Sequence, residues 1–155
     1  MATKLDLPYL KEMLFEAFFW NPEMERPNYH EFFTHPEFKK LLAEWGRSGD
    51  KAAIAEVENK PIGAAWYRFW TEKNHSYGFI DSETPELGIA VDSSFRSQGI
   101  GRALLCDLIE VARNEGIKTI SLSVNPDNFA KELYGKEGFV KVGESGTSWT
   151  LLLYL

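Results

Sequence analysis

The chain has 155 residues, of which 44% are hydrophobic and 26% charged, and its formal net charge is −6. A chain of this length can bury roughly 70% of its unfolded surface, which is enough for one core. The acidic charge argues against nucleic acid or an anionic membrane surface as the main partner. We see no repeat or linker, and we predict a single domain over residues 1–155.

The N-terminal region predicts two helices. The first follows Asp6 and has apolar residues at helical spacing until Asn21 and the proline after it break the pattern. The second follows Pro36 and ends at Gly46. Its apolar stripe comprises Phe38, Leu41, Leu42 and Trp45.

The next part of the chain predicts a β-hairpin. Residues 52–57 and 62–70 read as strands around a turn at 58–61. A long polar loop over 71–85 then precedes a further strand at 87–91.

A helix at about 99–115 and a strand at 119–124 complete a β-α-β unit with that strand. Residues 140–143 and 149–155 predict two closing strands, and the second of them alternates strictly.

The stretch 86–105 combines a strand, a loop containing Arg-x-x-Gly-x-Gly and an amphipathic helix. This arrangement directs main-chain N–H groups and the positive end of a helix dipole at one point, and it therefore predicts a phosphate site. Gly99 and Gly101 leave room for a phosphate beside the main chain. Arg96 and Arg102 can add charge-assisted hydrogen bonds.

Two better-known phosphate-binding patterns do not fit this stretch. A dinucleotide fingerprint would need a glycine where Leu104 stands, and no P-loop pattern occurs in the chain. By itself the hexapeptide is also typical of an ordinary loop-to-helix turn with surface arginines. The residues that follow it therefore decide between these interpretations.

The segment 125–139 contains Asn-x-Ala-x-x-Leu-Tyr-x-x-x-Gly-Phe and predicts a short helix capped by Asp127 or Asn128. The order of these elements resembles that of the GNAT superfamily of acetyl-CoA-dependent N-acyltransferases: a strand, the phosphate turn with its helix, a strand and this second helix. The resemblance is most specific over residues 86–139 and extends more loosely over the whole chain.

The resemblance implies a mixed α/β fold with a mostly antiparallel sheet, one splayed pair of parallel strands and about four flanking helices. It also implies acetyl-CoA as co-substrate, with the pantetheine amides pairing to the free main chain of the first parallel strand. The implied binding residues are Ile89, Ala90, Val91, Arg96, Ser97, Gln98, Gly99, Ile100, Gly101, Arg102, Asn128 and Tyr134. Asn128 could equally serve only as a helix cap.

Two side chains are implied to act in acyl transfer. Glu86, at the start of the strand before the turn, would be the general base that takes a proton from the amine. It could instead be an ordinary solvated carboxylate, in which case water, Glu83 or Asp81 are the alternatives. Tyr134 would lie beside the cofactor sulfur and protonate the leaving thiolate, unless it is a core tyrosine.

The sequence thus predicts an N-acetyltransferase that transfers acetyl directly from acetyl-CoA to a primary amine of a small molecule or peptide. A non-catalytic acyl-CoA-binding or regulatory module with the same fold is the alternative. A nucleotide-binding protein of another family would leave Asn128 and Tyr134 unexplained. The aromatic residues of the N-terminal region and of the hairpin are implied to border the acceptor pocket, although most are expected in the core.

The remaining expectations concern cysteine, metal and location. Cys106 is expected to be a small core or near-core residue in a reducing compartment. His30, His35 and His75 lack metal-ligand spacing, and we assign no metal. There is no leader-like N-terminus and no apolar run of 18 residues, so we predict a cytoplasmic monomer or homodimer without a membrane partner.

Overall fold

Six strands build one sheet: β1 Lys51–Val57, β2 Lys60–Arg68, β3 Glu86–Val91, β4 Thr119–Val124, β5 Val140–Ser145 and β6 Ser148–Tyr154. The computed structural model describes residues 3–155. The strand order is β1-β2-β3-β4-β6-β5, and all neighbours are antiparallel except β3 and β4. The predicted fold class, a mostly antiparallel sheet with one parallel pair, is confirmed.

Five α-helices flank the sheet in residues 3–155: α1 Leu7–Phe18, α2 Tyr29–Thr34, α3 Pro36–Lys39, α4 Ile100–Asn114 and α5 Ala130–Lys136. One face of the sheet packs on the apolar stripe of α4 and the other on α1. Within the described part of the chain, no helix combines the length and apolar character needed to cross a bilayer.

The predicted second helix is largely wrong. α3 has four residues, and α2, which precedes it, was not predicted. Beyond α3, the main-chain carbonyls of Lys40, Leu41 and Ala43 point to the guanidinium of Arg68, at 3.4, 3.4 and 2.7 Å from Nη1. Because these carbonyls serve Arg68, the chain turns instead of continuing as a helix.

Arg68 forms a buried ion pair with Asp50, and both side chains are only 2% exposed. Arg68 Nη2 and Nε donate to the carboxylate at 2.7 and 3.0 Å. The same carboxylate accepts from the main-chain N–H groups of Gly46 and Arg47, both at 3.0 Å. The pair therefore holds the segment between α3 and β1 against the sheet.

Replacing Asp50 with alanine should destabilise the fold by about 3–5 kcal/mol, because Arg68 would remain buried without its counter-charge. Urea unfolding monitored by circular dichroism measures this loss. Glu110→Ala, which breaks an ion pair whose members are 54% and 64% exposed, is the matched control and should change the midpoint little. Similar midpoints for the two variants would contradict the structural role of Asp50.

The parallel strands β3 and β4 separate soon after they meet. β3 pairs with β2 along all six of its residues, but with β4 only at Glu86↔Ser121 and Leu87↔Leu122. Pro85 accepts from Ser121 N–H at 3.0 Å, whereas Asp92 N–H donates to β2. By alternation, the main-chain groups of Ile89 and Val91 face the gap. The predicted splay is confirmed.

Candidate functional site

A cleft of about 800 Å³ opens at this gap, between the end of β3, the first turn of α4 and α5. Eleven of the twelve residues predicted to bind a cofactor line it: Ile89, Ala90, Val91, Arg96, Ser97, Gly99, Ile100, Gly101, Arg102, Asn128 and Tyr134. Gln98 does not line the cleft. The fold therefore brings the two sequence motifs to one place.

The turn before α4 has the geometry that its glycines predict. Gly99 has a φ of 81°, a left-handed conformation that favours glycine. The first helical hydrogen bond runs from Ala103 N–H to Gly99 C=O, so the preceding N–H groups of α4 lack helical partners. A Cβ on Gly101 would lie 3.7 Å from both Val91 and Leu133. The bare main chain of Gly101 thus lies on the floor of the cleft.

Both arginines of the turn lie beside carboxylates. Arg96 donates from Nε to Val91 C=O at 3.2 Å, and its Nη2 lies 4.0 Å from Glu16. Arg102 Nε donates to Glu137 at 2.8 Å. Arg96 thus also ties the turn to the end of β3. An incoming anion would share these cations with their carboxylate partners.

α5 and the turn before it contribute two predicted residues to the cleft. The predicted cap at Asp127 or Asn128 is wrong by a residue, because the N-cap of α5 is Phe129; the Asn128 Oδ1 accepts from Ala130 N–H at 2.9 Å, and Asn128 lines the cleft. Tyr134 is buried in the main core, where its ring packs edge-on against Phe139 with centroids 5.8 Å apart. Burial raises the pKa of Tyr134 above its ordinary value of 10. Its phenol therefore stays protonated and is a weaker acid than the sequence suggests.

Glu86 lies one residue before Leu87, the last paired position ahead of the gap, and it has Arg68 of β2 and Ser121 of β4 as its register neighbours. Its Oε1 is buried and has no hydrogen-bond partner in residues 3–155. Burial raises the pKa of Glu86 to about 7, although the nearby main chain of Gly78 and the Ser76 side chain lower it. At neutral pH its carboxyl is thus close to half ionised.

A second pocket, of about 450 Å³, is lined by Ser76 and other residues of the loop before β3. The Glu86 carboxyl lies close to Ser76 and Gly78, and a Cβ on Gly78 would stand 3.1 Å from the Glu86 Cδ. The full lining is Glu37, Lys40, His75, Ser76, Tyr77, Phe79, Ile80, Val142, Gly143, Glu144, Ser145 and Thr150. Glu86 itself lines neither this pocket nor the cleft, and the same holds for Asp81 and Glu83, the alternative bases.

The sequence did not predict this second pocket. The aromatic residues expected around an acceptor site are mostly packed against one another, as in the stacked pair Phe32 and Phe38, with centroids 4.4 Å apart. Trp66 and Trp70 are buried beneath α1, and Trp20 lines the cleft instead. Tyr77 and Phe79, which line the pocket, lie in a loop whose polar composition does not predict a pocket.

Cys106 is exposed, and its predicted place in or near the core is wrong. The stripe of α4 that faces the sheet consists of Leu104, Leu105, Leu108, Ile109 and Ala112, and residue 106 falls outside it. The Cys106 Sγ lies 3.7 Å from a Glu137 carboxylate oxygen. Partial burial and this carboxylate raise the pKa of the thiol, so Cys106 is not an activated nucleophile.

Comparisons with known proteins agree with this geometry. The model of the acetyltransferase (GNAT) family matches residues 11–139. An uncharacterized N-acetyltransferase of Methanocaldococcus jannaschii is 31% identical over 146 residues, which cover 89% of this chain and 58% of that protein. The chain thus spans little more than half the length of the curated relatives it matches.

Solved structures share the fold over almost the whole chain. A ribosomal-protein-alanine N-acetyltransferase from Brucella melitensis has a TM-score of 0.71 at 24% identity, covering 99% of this chain and 97% of that one. A PaiA N-acetyltransferase from Thermoplasma acidophilum, solved with coenzyme A, has a TM-score of 0.74 at 21% identity, with coverages of 99% and 96%. At these identities the similarity concerns the fold.

Proposed function

The chain belongs to the acetyltransferase (GNAT) family, and from this premise we propose that it transfers an acetyl group from acetyl-CoA to a primary amine of a small molecule or peptide. The observation that carries the proposal is the gap between β3 and β4. The gap opens directly after Glu86 and Leu87, and the Glu86 carboxyl, which does not itself line the cleft, has a pKa of about 7. A cofactor arm and an acceptor amine could meet there.

Acetyl-CoA, the co-substrate of this family, supplies an acetyl group activated as a thioester. In the proposal, the free N–H groups at the start of α4 bind its pyrophosphate, and Arg96 and Arg102 add charge. The gap-facing main chain of Ile89 and the Val91 N–H would pair with its pantetheine amides as an added strand, while the Val91 C=O accepts from Arg96 Nε. Asn128, which lines the cleft, would contact the same arm.

Glu86 would be the general base. An alkyl amine has a pKa near 10.4, so it is almost fully protonated at pH 7 and must lose a proton before it can attack. A carboxyl of pKa about 7 is matched to working pH, since half of it is ionised and it holds an accepted proton well. The amine would enter through the second pocket, whose Ser76 lies close to Glu86.

Main-chain and phenol donors would stabilise the charges that develop. A free N–H of β3 at the gap can polarise the acetyl carbonyl without any rearrangement. The Tyr134 hydroxyl would donate to the leaving thiolate. Burial raises the pKa of this phenol and would raise that of a thiolate in the same site as well, so we assign Tyr134 a hydrogen bond to the sulfur along which the proton passes as the thiolate departs.

A non-catalytic acyl-CoA-binding module remains the second candidate, since the cleft alone would serve it. The buried carboxyl beside a second pocket favours the enzyme, because binding a cofactor needs neither feature. Thiol release from acetyl-CoA with a panel of polyamines, aminoglycosides, amino acids and peptide N-termini tests the proposal. Turnover with any amine supports it, whereas binding without turnover across the panel supports the module.

Gly101→Asp should abolish measurable CoA binding, because it adds a side chain and a negative charge at the floor of the cleft. Calorimetry with CoA measures the affinity. Gly101→Ala is the control for folding: its Cβ would make only ordinary 3.7 Å contacts, and alanine favours a helix. Wild-type affinity in Gly101→Asp would remove the pyrophosphate from this turn.

Arg96→Ala should weaken CoA binding less, by about 1.5–3 kcal/mol if one charge-assisted hydrogen bond is lost. The same calorimetry measures it. Raising the salt concentration should shrink the difference from wild type, because the interaction is between partly exposed charges. A loss that does not depend on salt would instead point to the contact between Arg96 and the end of β3.

A further inference from the structure

Two buried polar atoms that have no hydrogen-bond partner in residues 3–155 belong to register partners at the junction of β3 and β4. They are Glu86 Oε1 and Ser121 Oγ. Ser121 is 0% exposed, and its hydroxyl finds no acceptor or donor among the described residues. An unpaired buried hydroxyl is costly, so its presence in a strand of this core requires an explanation.

The register shows that the two side chains are neighbours. Glu86 and Ser121 are direct partners of the parallel pair and therefore project from the same face of the sheet. Neighbouring strands are about 5 Å apart, so a small rotation about the Ser121 Cα–Cβ bond can bring its hydroxyl toward the carboxyl. Ser121 itself is fixed, because its N–H donates to Pro85 C=O at 3.0 Å.

We propose that Ser121 is a positioning residue for Glu86, whose hydroxyl donates to the carboxylate whenever Glu86 is ionised. The serine would then stabilise the base form before the amine arrives and fix the carboxylate at the mouth of the gap. That Glu86 acts as a base rests on the proposed function. The adjacent placement of the two residues in the register does not.

The other groups that face Glu86 do not replace this donor. His75 and Lys40 favour its ionised form by charge alone, and Ser76 and Gly78 approach from the loop above. These contacts leave Oε1 without a partner.

Arg68, the register neighbour on β2, is turned to Asp50 and to carbonyls of the segment after α3. Ser121 is thus the buried donor left on the β4 side of the carboxyl.

The direct test is a carboxyl-carbon NMR titration of Glu86 in the protein without ligands. We expect the midpoint in Ser121→Ala to be higher than in the wild type by about one pH unit, the shift expected for one lost hydrogen bond to a charge. Ser121→Thr, which keeps the hydroxyl, should restore the wild-type midpoint. An unchanged or lower midpoint in Ser121→Ala overturns the proposal.

The pH dependence of kcat/KM gives a second readout. If the midpoint moves up by one unit, Ser121→Ala should be up to roughly ten-fold slower at pH values well below the wild-type midpoint and equal to the wild type well above it. In a Glu86→Gln background the same substitution should leave the shape of the profile unchanged. An equal loss at every pH indicates a merely structural serine and overturns the proposal. If no amine is turned over, the proposed function fails, and the NMR titration still decides the role of Ser121.

Discussion

Replacing Tyr134 with phenylalanine should lower the rate of acetyl transfer by roughly 10²- to 10⁴-fold, the usual effect of a positioned acid. The variant keeps the ring and its packing against Phe139 and removes only the hydroxyl that would meet the leaving thiolate. Acetyl-CoA affinity and the melting temperature should therefore change little. Single-turnover kinetics, calorimetry and thermal unfolding on this variant measure the three quantities.

The opposite pattern would identify Tyr134 as a structural residue. In that case stability would drop by on the order of 1 kcal/mol and turnover would stay near the wild-type rate. Tyr154→Phe is the matched control, because Tyr154 is 69% exposed at the end of β6. It should leave rate, affinity and melting temperature unchanged.

Glu86→Gln should reduce kcat/KM by roughly 10²- to 10⁴-fold near pH 7, and activity should partly recover at high pH, where free amine is abundant. The wild-type profile should rise through a pKa of about 7, and the variant should lack this limb. Glu83→Gln removes an exposed carboxylate that borders neither cavity, and it should match the wild type. An unchanged rate and profile in Glu86→Gln would pass the role of base to water or Glu83.

The same variant should be more stable than the wild type at alkaline pH. The carboxyl of Glu86 ionises near 4.5 when unfolded and near 7 when folded, so folding favours its protonated form. The wild type therefore loses stability as pH rises from about 4.5 to about 7, by about 3 kcal/mol in total. Glutamine cannot ionise and escapes this loss. Urea midpoints at pH 5 and pH 8 for both proteins measure it, and a wild-type advantage at pH 8 would contradict a buried ionisable base.

Local sequence patterns predict most of the fold. The alternation in residues 119–124 predicts β4 with the bounds that the structure has, because Ile120, Leu122 and Val124 must share one buried face. The glycines of the turn likewise predict the left-handed residue before α4. Such features depend on neighbours in the chain, and sequence periodicity reports them directly.

The predictions that were wrong concern contacts between residues far apart in the sequence. The apolar stripe after Pro36 is real, yet Arg68, almost thirty residues later, takes the carbonyls that a longer helix would need. Cys106 was misplaced because nearby leucines do not reveal the phase of the stripe on α4. The second pocket joins residues of α3, the loop before β3, and β5, and no spacing in the sequence shows that these segments meet.

The ion pair of Asp50 and Arg68 also restricts how this sequence can diverge. Losing either partner leaves a lone charge in the interior, whereas exchanging both for apolar residues of similar volume can be neutral or favourable. A lineage that abandons the pair must therefore pass through a poorly folded intermediate or acquire both changes together. We therefore expect positions 50 and 68 to change together: relatives should carry either both charged side chains or two apolar ones.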